Sequence, residues 1–113
     1  MRILIVDDNQ DAAESIEDLL LQEGHHTRVA LSGSAALQVY RKDAYDLVFL
    51  DLKMPDMDGL ETARRLLDLN PKARIVVVTG NAVQEDLVQA SQMGIAGLLR
   101  KPFRAEELMA YLQ

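Results

Sequence analysis

The stretch Leu47–Gly59, LVFLDLKMPDMDG, decides the fold. Four large apolar residues, Leu47 to Leu50, run without polar alternation into a single carboxylate, Asp51, followed by a loop broken at Pro55 and Gly59. A strand that is apolar on both faces must be covered on both faces, as the strands of parallel sheets in α/β domains are. In such sheets chemistry gathers just beyond the carboxyl ends of the strands, which is where Asp51 falls. A helix or turn cap would equally account for one Asp at a strand end, so the other strands have to settle the matter.

Upstream, Ile3 to Val6 is a second apolar run, and it too ends in acids, Asp7 and Asp8. Ala13, Ile16, Leu19 and Leu20 then recur at helical spacing, with cap candidates between Asn9 and Asp11 and Gly24 as the stop. His26 to Leu31 alternates weakly between two glycines and predicts a short outer strand. Ser32 caps a second helix through about Lys42, with Ala36, Leu37 and Tyr40 on its inner stripe. Downstream, Asp58 and Glu61 have capping-box spacing and open a helix with Leu60, Ala63, Leu66, Leu67 and Leu69 apolar, ended by Asn70 and Pro71. Ile75 to Val78 is a β-branched strand ending on Thr79 and Gly80. Asn81 with Gln84 can cap a fourth helix carrying Val83, Leu87 and Ala90 inward, closed by Gly94. Gly97 to Leu99 is a short last strand running into Arg100, Lys101 and Pro102, and a final helix spans Arg104 to Leu112. Five strands alternate with five helices, so each crossover joins parallel strands through a helix.

Composition narrows the function classes. The 113 residues suffice for one domain with its own core, assigned here to residues 1–113. Eighteen acids against twelve bases give a net charge of −6, and the bases are not clustered, which argues against direct nucleic-acid binding. No cysteine is present, so thiolate metal sites and disulfides are excluded and a reducing, cytoplasmic setting is expected. The opening MRILIVDD holds too few apolar residues for a signal peptide core or a membrane span. His25 and His26 lie far from the acids and read as surface residues, and Arg64, Arg65, Lys72 and Arg74 as a solvated face. Met54, Met57, Met93 and Met109 read as gap-filling contacts.

Because every strand points the same way, Asp7, Asp8, Asp51, Thr79 and Lys101 are all carried to one edge of the sheet. Close ionised carboxylates repel one another by about 4 kcal/mol per pair at an effective dielectric of 20. A divalent cation relieves that repulsion, and all-oxygen donors with no Cys or nearby His suit Mg²⁺. Lys101 then offers a mobile positive charge and Thr79 a hydroxyl, both suited to phosphate oxygens. A carboxylate in such surroundings is set up to attack phosphorus, which makes Asp51 the candidate nucleophile. The first strand-to-helix loop, Asp8-Asn9-Gln10, is acidic where a nucleotide-binding turn would be glycine-rich.

With these residues in order, the whole chain resembles the receiver domains of two-component response regulators. The resemblance rests on Asp7 and Asp8 after strand one, Asp51 followed by LKMPDMDG, Thr79 closing strand four, and Lys101-Pro102 after strand five. It implies a flavodoxin-like, doubly wound (βα)5 fold with strand order 2-1-3-4-5, which brings the acidic pair beside Asp51. It further implies that Asp51 is the phosphoacceptor for a phosphohistidine on a sensor histidine kinase or phosphotransfer protein. Mg²⁺ would then be held by Asp8, Asp51 and the Lys53 main-chain carbonyl, with Asp7 acting largely through water, and Thr79 and Lys101 would bind the phosphoryl oxygens. Such a domain is a regulatory module and not a turnover enzyme; no membrane or nucleic acid is contacted directly, and an output domain beyond Gln113 and a homodimer are both left open. One departure stands out. Leu98 occupies the strand-five position where the family usually carries an aromatic, which puts the usual relay to the outer face in doubt. Lys53 and Asn81 sit at positions that bear on phosphate lifetime. An aspartate-nucleophile phosphatase, the alternative from another class, would want an acid where Lys53 stands.

Overall fold

The computed structural model describes residues 1–54, 57–80 and 84–112, and five strands form one parallel sheet in the order β2-β1-β3-β4-β5. The strands are β1 (Arg2–Val6), β2 (His26–Ala30), β3 (Leu47–Leu50), β4 (Ile75–Thr79) and β5 (Gly97–Arg100). The helices are α1 (Gln10–Gln22), α2 (Gly33–Lys42), α3 (Gly59–Leu69), α4 (Gln84–Gln92) and α5 (Ala105–Met109), the last running into a 3₁₀ turn over Ala110–Leu112. The β1–β3 register pairs Ile3 with Leu47 and Val6 with Leu50, so the two acidic strand ends finish level with each other.

Side-chain alternation along the strands divides the core in two. Leu4, Val6, Val48, Leu50 and Ile75 point to the side covered by α2 and α3, where they meet Ala36, Leu37, Tyr40, Ala63 and Leu66. Their neighbours Ile3, Ile5, Leu47, Phe49, Val76 and Val78 point to the other side, against Ala13, Ile16 and Leu20 of α1 and Leu108 of α5. All four residues of β3 and all five of β4 are buried, which is why neither shows polar alternation in the sequence.

Helix boundaries follow their caps. The Asn9 and Ser32 side chains accept from the Ala12 and Ala35 N–H groups, and Asp58 Oδ1 accepts from the Glu61 N–H at 2.8 Å. The Asp58–Glu61 spacing predicted a capping box; Glu61 instead spends its carboxylate on Arg65 at 3.0 Å and Arg64 at 3.6 Å. Gly24 and Gly94 take positive φ values of 83° and 86° just beyond α1 and α4, the left-handed turn that ends a helix at little cost only for glycine. The last helix differs from expectation. Only Ala105–Met109 is α-helical, and the tighter 3₁₀ turn that follows swings Tyr111 onto β5. Leu69, counted among the apolar residues of α3, is 43% exposed because it lies off that helix's inner stripe. The loop break at Pro55, the Asn81 cap and the inward Val83 lie outside the described residues.

Candidate functional site

Two strand ends, those of β1 and β3, build an acidic pocket. Asp7 follows β1 and is anchored by its own N–H on the Ala30 carbonyl (3.1 Å), while Asp51 follows β3 and donates its N–H to the Val6 carbonyl (2.9 Å). The ladder therefore continues one residue past each strand and holds the two carboxylates side by side. One oxygen from each of Asp7, Asp8 and Asp51 can be chosen so that all three lie within 4.8 Å of one another. Asp7 and Asp51 are buried and Asp8 is exposed, so the cluster has a closed floor and a wet rim.

Lys101 reaches in from the far side. Its ammonium donates to Asp7 Oδ2 at 3.0 Å and stands 3.9 Å from Asp51 Oδ2, while its main-chain N–H is fixed on the Thr79 carbonyl at 2.9 Å. Both Asp7 oxygens are engaged, since Oδ1 also accepts from the Asn9 N–H at 2.9 Å. Asp51 Oδ1 accepts from the Lys53 N–H at 3.2 Å. Against these stabilising contacts, removal from water dominates: burial pushes the Asp51 carboxyl from 3.8 up to about 6, aided by the Asp7 carboxylate and opposed by the Lys53 N–H and the Lys101 ammonium. The Thr79 hydroxyl, at the end of β4, is buried with no hydrogen-bond partner among the described residues. A buried hydroxyl left unpaired costs about 1–3 kcal/mol, so this oxygen is set to gain from an incoming acceptor.

The pocket's donors fit a hard divalent cation. They are all oxygen, they include one exposed and two buried carboxylates, and one of them carries a raised pKa that a nearby positive charge would lower. Mg²⁺ matches this donor set; thiolate- or imidazole-seeking ions do not.

All the site residues read from the sequence are brought to one sheet edge: Asp7, Asp8, Asp51 and Lys101 in direct array, Thr79 joined to them through Lys101, and Lys53 through its N–H. Two features were not foreseen. Lys101 pairs first with Asp7, a contact across 94 positions that no local pattern signals. Asp86, on the first turn of α4, lines the same open cleft as Asp8, Lys53, Met54 and Asp58, and only its place in an acidic first turn could have flagged it. Gly59 explains how α3 comes so close. A Cβ there would press on the Leu52 Cα and lie 2.5 Å from the Asp51 carbonyl oxygen.

Comparison with known proteins agrees with this geometry. A family model described as the response regulator receiver domain matches residues 3–113. The transcriptional regulatory protein DltR of Streptococcus agalactiae serotype III (strain NEM316) is 32% identical over 113 residues, covering all of this chain and 50% of DltR, so the chain spans about half the length of that relative. A CheY-like receiver domain protein from Methanospirillum hungatei JF-1 superposes with a TM-score of 0.94 at 30% identity, covering 98% of this chain and 89% of that one. A response regulator from Burkholderia pseudomallei, solved with a phosphorylated aspartic acid, calcium ion and citrate, superposes with a TM-score of 0.91 at 33% identity, over 99% and 66% of the two chains.

Proposed function

This chain belongs to the response regulator receiver domain family of two-component signalling, and from that premise we propose that Asp51 is its phosphoacceptor. The observation that carries the reading is the convergence of Asp51 with Asp7, Asp8 and Lys101 in one pocket. The donor is a phosphohistidine on a sensor histidine kinase or phosphotransfer protein. The histidine N–P bond breaks as an Asp51 carboxylate oxygen bonds to phosphorus, giving an aspartyl phosphate and a free imidazole. The B. pseudomallei relative, with its phosphorylated aspartate and calcium ion, supports the same chemistry here.

Each residue has a physical task. Asp51 must be ionised to attack, and the Lys53 N–H and Lys101 ammonium favour that state. Mg²⁺, held by Asp8, Asp51 and the Lys53 carbonyl with Asp7 largely through water, would supply the charge neutralisation that phosphoryl transfer needs. The Lys101 ammonium, 3.9 Å from Asp51, exchanges part of its contact with Asp7 for a phosphoryl oxygen, and the Thr79 hydroxyl donates to another. The phosphoryl group adds roughly two negative charges and draws the Thr79 and Lys101 loops towards it. The domain acts as a cytoplasmic regulatory module and not as a turnover enzyme.

The test is to incubate the protein with Mg²⁺ and acetyl phosphate and weigh it intact. The expected result is a gain of one phosphoryl group, absent in Asp51→Asn. Continuous release of phosphate from simple esters would point instead to a phosphatase, and no mass change to a scaffold.

A further inference from the structure

Helix α4 opens with two acids, Glu85 and Asp86. Both carboxylates suit the positive end of the helix dipole, but only Asp86 lines the cleft beside the acidic pocket. Glu85 is exposed and Asp86 is half-buried. The Asp86 side chain makes no hydrogen bond or ion pair with the other described residues. A charge held in a cleft wall without a partner acts on whatever enters the cleft.

That cleft has a volume of about 430 Å³ and an apolar floor that includes Leu52 and Met54. Among the described residues its charged lining is Asp8, Lys53, Asp58 and Asp86. Two of the acids already have tasks. Asp58 caps α3 through the Glu61 N–H at 2.8 Å, and Asp8 belongs to the cluster whose oxygens lie within 4.8 Å of one another beside Asp51. Once Asp8 is turned to a cation, Lys53 and Asp58 offset each other and Asp86 is the unbalanced charge. Because Asp8 is shared between the cleft and the pocket, a phosphoryl group approaching Asp51 comes under the field of that charge.

We propose that Asp86 is a specificity-determining residue of the phosphorylation reaction. Its carboxylate disfavours small dianionic phosphodonors and favours donors that carry positive charge beside the phosphoryl group, such as a protein phosphohistidine flanked by basic side chains. This rests on the reading of Asp51 as phosphoacceptor. Asp86 acts on approach, through its field, and does not touch the reacting atoms.

The test compares two donors at saturating Mg²⁺, with intact mass followed over time. Acetyl phosphate is a dianion at neutral pH, and phosphoramidate is a monoanion with a cationic nitrogen. In each case an Asp51 oxygen bonds to phosphorus as acetate or ammonia leaves. Asp86→Asn should react with acetyl phosphate about threefold faster than the wild type at about 0.01 M ionic strength and gain less with phosphoramidate. The advantage should vanish at about 1 M, where screening shortens the field to about 3 Å. The gain should appear as a lower half-saturating concentration of acetyl phosphate and not as a higher limiting rate. Inorganic phosphate, which binds without reacting, should shift the Lys53 amide at lower concentration in Asp86→Asn.

Three further variants isolate the cause. Asp86→Ser, also neutral, should reproduce Asp86→Asn, and Asp86→Glu, which keeps the charge, should match the wild type. Asp68→Asn makes the same change in net charge near the far end of α3 and should leave both rates alone. Unchanged rates in both neutral variants, an equal gain with both donors, a gain that survives high salt, or the same gain in Asp68→Asn overturns the role of Asp86 and leaves Asp51 as the acceptor. A wild-type protein that gains mass from neither donor overturns both the selection and the reading beneath it.

Discussion

Asp51 is held between opposing influences, and without a bound cation their balance favours the neutral acid more than water does. Its pKa is raised from 3.8 to about 6, so between those values the folded protein holds a proton that the unfolded chain has released. Stability from this residue is therefore lost as pH rises through that window, and the cost is fully present above about pH 6. In chelator, Asp51→Asn should be more stable than the wild type near neutral pH. That advantage should shrink towards zero as pH falls to about 4, as urea titrations of both proteins would reveal. Gly59 is the second residue at which a single atom decides. Gly59→Ala would push against Leu52 and the Asp51 carbonyl, so it should slow phosphorylation by acetyl phosphate as well as lower stability by about 1–3 kcal/mol. Normal kinetics in a destabilised variant would show that the approach of α3 serves packing alone.

The helices differ in how firmly they are held. Leu66 and Leu69 both lie on α3 and look alike in sequence, yet Leu66 is fully buried against β1, β3 and β4 side chains and Leu69 is 43% exposed. Leu66→Ala should cost about 2–5 kcal/mol and Leu69→Ala within about 0.5 kcal/mol, measured by chemical denaturation. Helix α4 is anchored far less: of its nine residues only Ala90 is buried, Leu87 is half-buried and Val88 is 44% exposed. Its amide hydrogens should exchange faster than those of α1 and α3, which bury three and five residues. Equal protection across the three helices would mean that α4 is held by contacts other than its buried side chain.

At the scale of the molecule, a chain of net charge −6 gathers three of its carboxylates at one sheet edge, and a cation that binds there binds only the folded state. Mg²⁺ at 100 times its dissociation constant should therefore stabilise the protein by about 2.7 kcal/mol, seen as a rise in Tm that is absent in Asp8→Asn and Asp51→Asn. An equal rise in all three proteins would place the ion elsewhere. Much of this was legible in the chain itself. Unbroken apolar runs at Ile3–Val6, Leu47–Leu50 and Ile75–Val78 admit no exposed face, so they specify a covered parallel sheet, and parallel strands bring their terminal acids to one edge. The strand order came from the family resemblance, since local pattern carries no information about which strands are neighbours. Other features depend on partners distant in sequence: Lys101 choosing Asp7, burial raising the pKa of Asp51, Leu66 and Leu69 parting company, and Tyr111 leaving the expected helix to cover β5. Periodicity and capping are interactions among residues a few positions apart, and a sequence displays them directly. Dielectric environment, ion pairing and edge protection arise only when the closed chain brings remote groups together, so tertiary structure alone decided them.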